Sequence, residues 1–143
     1  MTTLSTLRNT IAVATITENS IDSAAAIPLI TANQDRDNKS YNYDGTLAVN
    51  TGDKRLYMAR AGTFGTFDMY VKTAPAGAAL NVQINKNGSS IGTGTIADGA
   101  TSGTGQALSP TSFSAGDYLT VDITQIGSST AGEDLYINFR IAG

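Results

Sequence analysis

The stretch "TAPAGAALNVQINKNGSSI", residues 73–91, decides the fold. Leu80, Val82 and Ile84 alternate with Asn81, Gln83 and Asn85. A period of two puts one face of a β-strand in a core and the other in water. Upstream, Pro75 presets φ and Gly77 tolerates positive φ, as a turn requires. Downstream, Asn87-Gly88 is a tight-hairpin signal. The strand therefore turns back as "SSIGTGTIA", with Ile91 and Ile96 among small residues.

The same grammar extends in both directions. "TLAVN" from Thr46 reads as a short strand and "TGD" as a turn. "KRLYMARAG" sets Leu56 and Met58 against Arg55, Tyr57 and Ala59. "GTFGTFDMYVKT" sets Phe67, Met69 and Val71 against Asp68, Tyr70 and Lys72, with Gly62 and Gly65 marking a bulge or bend. Leu108 and Phe113 are the apolar anchors of the loop-rich segment 98–117, which ends in a Gly116-Asp117 turn. Leu119, Val121 and Ile123 alternate with Thr120, Asp122 and Thr124. Leu135, Ile137, Phe139 and Ile141 alternate with Tyr136, Asn138 and Arg140. Roughly six to eight strands at short intervals imply an all-β chain: an antiparallel β-sandwich, read as a jelly roll.

Residues 1–45 differ in texture. Short apolar stretches alternate with polar ones, Pro28 cuts short the one helical hint at Ala24–Ala26, and "TANQDRDNKSYNYDG" is polar and turn-rich. The expected organisation is an extended N-terminal arm over 1–45 and a sandwich domain over 46–143.

Composition excludes much chemistry. The 143 residues include no cysteine and no histidine. Disulfides and thiolate metal sites are therefore out, and the commonest general base is missing. A net charge of −3, with no Lys/Arg cluster, argues against nucleic acid as a partner. No apolar run approaches the ~20 residues needed to cross a bilayer, and the N-terminus lacks the basic and apolar regions of a signal peptide. A membrane partner is not expected, and synthesis and folding are expected in the cytoplasm.

The remaining candidates for chemistry are thin. No spacing singles out a Ser-Lys pair. The carboxylates sit mainly in turns, at Asp44, Asp53, Asp98, Asp117, Glu133 and Asp134, while Asp68 and Asp122 fall on outward strand positions. Asp35, Asp37 and Asn38 are spaced somewhat like a calcium loop, without its Gly and downstream Glu. "GSSIGTGTIADG" is Gly-rich, without the Lys and helix of a phosphate loop. No enzyme activity, cofactor or metal is expected. Tyr41, Tyr43, Tyr57, Tyr70 and Tyr136 are candidate exposed aromatics, for a protein interface, for stacking on sugar rings, or for cross-strand pairing on a wet face.

From Lys54 onward the chain resembles a known family. "KRLYMARAGTFGTFDMYVKTAPAGAALNVQINKNGSSI" and "SAGDYLTVDITQIGSSTAGEDLYINFRI" are similar to a β-sandwich module of tailed-bacteriophage structural proteins. The resemblance implies a non-catalytic virion protein. Modules of this kind occur in capsid decoration (cement) proteins and in head and tail fibres. A short chain that starts at Met1 with a polar arm and no shaft suits decoration of the outer capsid surface. The expected partners are the major capsid protein and the chain itself, as a homo-oligomer, with a trimer favoured over a dimer. The expected location is the virion capsid surface, after synthesis in the host cytoplasm. Ile11, Val13 and Ile16 are the arm residues expected to add a strand to a neighbour's edge, with Tyr41, Tyr43 and Tyr57 as further interface residues. The alternative is a carbohydrate- or receptor-binding module of a tail or head fibre.

Overall fold

The computed structural model describes residues 38–142. Within them the chain forms β1 (Lys39–Thr46), β2 (Leu56–Tyr57), β3 (Gly62–Thr73), β4 (Leu80–Lys86), β5 (Ser89–Ile96), β6 (Ser102–Thr104), β7 (Ser112–Phe113), β8 (Tyr118–Gln125) and β9 (Glu133–Ala142). The β4–β5 hairpin closes where Asn87-Gly88 predicts. Asn87 has φ 50° and Gly88 φ 85°. Two successive left-handed residues match the twist of the flanking strands, which is why Asn-Gly suits a two-residue loop.

The strands form two antiparallel sheets packed face to face, a β-sandwich. The first has the order β1-β9-β3-β6, with β7 also on β3, and the second β2-β8-β4-β5. The first and last described strands pair with each other, as do the second and the second-last.

The core is the inward half of each alternation. Phe67 lies opposite Phe139, Met69 opposite Ile137 and Val71 opposite Leu135. Leu80, Val82 and Ile84 of β4 and Leu119, Val121 and Ile123 of β8 are likewise buried. Each such side chain contributes about 1.5–3 kcal/mol of gross burial energy, largely offset by chain entropy. The expected bulge is present as a register shift between Phe64 and Phe67. It lets both phenylalanines face inward although they are three apart, and Phe64 then packs on Phe113 with centroids 4.5 Å apart. A second register shift, between Ile84 and Asn85, lets Ile91 and Ile96 of β5 both be buried despite their odd separation.

The sandwich starts earlier than position 46. β1 runs antiparallel to β9 with Tyr41 opposite Ile137, so residues 39–45 are built into a sheet. Its sequence is polar because the outward positions, Ser40 and Asn42, are solvated. The period-two signal there rests on the two tyrosines alone. Segment 105–109 runs along β5, with Gln106 N–H donating to Thr93 O and Ser109 N–H to Ile91 O, at 2.9 and 2.7 Å.

Candidate functional site

The residues singled out in the sequence have different fates. Ile11, Val13 and Ile16 lie outside the described residues, as do Asp35 and Asp37 of the calcium-like spacing. Tyr41, expected at the surface, is only 4% exposed. Its ring packs in the core cluster, and Lys54 Nζ sits 5.6 Å from its centroid. Desolvation, with smaller contributions from Tyr43, Asp53 and Asp122, raises its pKa above the ordinary tyrosine value. Tyr43 is half-buried, and Tyr57 is exposed.

Two surfaces emerge instead, one on each sheet. On the outer face of the first sheet the register aligns Asn42, Tyr136, Tyr70 and Ser102 across β1, β9, β3 and β6. Tyr70 and Tyr136 are 45% and 44% exposed and stand directly opposite each other. With Ser40, Asn42 and Asn138 they line a shallow depression of about 520 Å³. Charges at the margins are paired: Arg140 donates to Asp68 at 2.6 Å, and Lys72 Nζ lies 3.6 Å from Asp134. The centre of this face is aromatic and neutral.

On the outer face of the second sheet a smaller cleft, about 310 Å³, is walled by the segment before β2. Asn50 exchanges backbone hydrogen bonds with Ile123, and Leu56 pairs with Leu119. Residues 51–55 thus leave the β8 edge and return to it. Gly52 lies so close to Val121 O that a side chain there would overlap the carbonyl. Its N–H donates to Asp122 Oδ1 at 2.9 Å. Asn85 Nδ2 donates to Asp122 Oδ2 at 2.9 Å and reaches Thr120 Oγ1 at 3.5 Å, while Asn85 Oδ1 accepts from Gln83 Nε2 at 2.9 Å. At the rim, the Arg55 guanidinium lies 4.4 Å from the centre of the Tyr118 ring and donates to Tyr57 Oη at 3.3 Å.

Sequence alternation places Gln83, Asn85, Thr120 and Asp122 on the wet face, and the sheet does point them outward. Alternation alone misses the wall, and it misses that Asn85 is 5% and Thr120 8% exposed. The available signal was composition: amides and hydroxyls, rather than Lys and Glu, occupy those positions. Among the described residues no group of three His, Cys, Asp or Glu converges to hold a metal ion. No protein-family model matches the chain, and no curated protein matches its sequence.

Proposed function

We propose that the chain is a structural virion protein, a decoration protein that binds the outer surface of a phage head and stabilises the junctions between capsomers. One observation carries the reading: the nested strand order, β1-β9-β3-β6 facing β2-β8-β4-β5. We read that order as a jelly roll, an architecture used by viral capsid and lectin domains. The resemblance of residues 54–91 and 114–141 to phage structural modules supports the same reading.

The neutral, aromatic face around Tyr70 and Tyr136 suits contact with the major capsid protein. Interface centres favour tyrosine and disfavour unpaired charge, and here the charges are paired at the margins. Homo-oligomers, trimers above dimers, would repeat a modest contact by symmetry, so avidity would grow without strong individual sites. The test is to mix the purified full chain with undecorated shells of its own phage. The expected result is co-sedimentation and a higher temperature of shell disruption, both reduced in Tyr70→Ala/Tyr136→Ala. Electron microscopy that places the chain on the tail, or nowhere on the particle, would overturn the proposal.

A further inference from the structure

We infer that the cleft on the second sheet, between β8, β4 and the 51–55 wall, is a binding site for a neutral saccharide. This stands beside the decoration reading and does not depend on it.

The first ground is that the cleft is built. Outward side chains in mid-sheet are ordinarily solvated, yet Asn85 and Thr120 are more than nine-tenths buried. Burying an amide is costly unless its hydrogen bonds are made, and here they are. Gln83 donates to Asn85, Asn85 donates to Asp122, and Gly52 N–H donates to the other Asp122 oxygen. Each group fixes the orientation of the next. A satisfied polar network of this kind is rigid, and a rigid set of polar groups loses little entropy when a ligand arrives.

The second ground is the chemistry presented. A carboxylate oxygen has two lone pairs, so Asp122 can accept from a ligand as well as from its protein donors. Gln83 Oε1 is a further acceptor, the Thr120 hydroxyl can donate or accept, and Arg55 has N–H groups beyond the one given to Tyr57. Asp53 adds a second carboxylate at the exposed rim. The lining offers both donors and acceptors, which matches adjacent sugar hydroxyls, each donating to one neighbour and accepting from another. Two carboxylates against one guanidinium disfavour phosphate and other anions. The walls carry too little apolar surface for a lipid. At about 310 Å³ the cleft lies at the small end of ligand pockets, which run from about 300 to 1,000 Å³, and suits a mono- or disaccharide.

The experiment uses the purified full chain on an array of neutral hexose, deoxyhexose and N-acetylhexosamine oligomers, followed by titration calorimetry with the strongest binder. Binding should weaken about tenfold or more in Asp53→Ala and in Gln83→Ala, and stay unchanged in Tyr136→Ala. Asp53 is exposed, so its variant should keep the parent melting temperature and report on the ligand alone. The inference is overturned if no glycan binds at millimolar concentration. It is also overturned if binding survives Asp53→Ala and Gln83→Ala and is lost in Tyr136→Ala, which would move the site to the other sheet. Shell co-sedimentation is read separately, so a chain that coats shells and ignores sugars refutes this inference without touching the decoration proposal.

Discussion

Position 105 has room for a hydrogen and nothing larger. Gly105 and Gly94 form a bridge beside Phe67, and a Cβ at 105 would fall on the Phe67 ring. The missing side chain is what lets segment 105–109 close along β5 while a phenylalanine fills the space beneath. Gly105→Val should therefore destabilise the fold by about 1–3 kcal/mol through overpacking, read as a lower urea midpoint at unchanged slope. An unchanged midpoint would mean that Phe67 has another rotamer to occupy. Asp117 offers a second residue-scale test. The Ser114 N–H, then the Asn87 amide, then Lys86, hold its carboxyl below the ordinary aspartate value. The unfolded chain thus takes up a proton on acidification before the folded one does. The resulting stabilisation is complete above the ordinary aspartate pKa and is lost as pH falls through the lowered folded value. The stability gap between the parent and Asp117→Asn should accordingly narrow as pH falls from about 5 through the lowered folded value. A gap that stays constant would refute the linkage.

Elements differ in how openly the sequence announces them, and the reason is local. β4, β8 and β9 turn apolar residues to the core and polar residues to the other face, so their alternation is complete and legible. Gly65 marks the bulge in β3, where an added Cβ would sit 3.3 Å from both Cβ and the carbonyl oxygen of Arg140. β1 is harder to read because it has one buried position, Tyr41, in a polar run. β6 and β7 are too short for any period, and only Phe113 betrays the second. The candidate cleft was less legible still, because nothing in β4 or β8 encodes the wall that residues 51–55 build over them. The turns carry more than their own geometry. Asn87 Nδ2 donates to Asp117 Oδ1 at 2.8 Å, and Asn87 Oδ1 accepts from Tyr118 N–H at 3.0 Å. The β4–β5 hairpin is thereby tied to the turn that starts β8, two elements that neighbour in the sheet but not in the chain. Asn87→Ala removes both bonds and puts an ordinary residue at positive φ. The expected loss is about 1–3 kcal/mol in chemical denaturation. Asn87→Gly should restore the backbone share and leave the side-chain share missing, so an Ala variant as stable as the Gly variant would count against the backbone argument.

At the scale of the whole molecule, nesting explains why the sandwich holds together without disulfides. β1 pairs with β9 in one sheet and β2 with β8 in the other, so both ends of the described chain are locked into the same sheet and each early strand is held by a late one. Under the decoration proposal, the same closure separates folding from attachment. β1 begins at Lys39, so deleting residues 1–20 removes no described strand and none of the core side chains named above. The truncated chain should give the β-type circular dichroism spectrum and urea midpoint of the parent. If Ile11, Val13 and Ile16 add a strand to a neighbour's edge, the same truncation should weaken shell binding about tenfold or more, since β-strand addition draws affinity from main-chain hydrogen bonds. Those bonds are intermolecular, so their loss lowers affinity without touching stability. A truncated chain that coats shells as well as the parent would leave attachment entirely to the sandwich, and with it to the Tyr70–Tyr136 face. A chain that no longer folds would show instead that residues 1–20 belong to the fold and not to the contact.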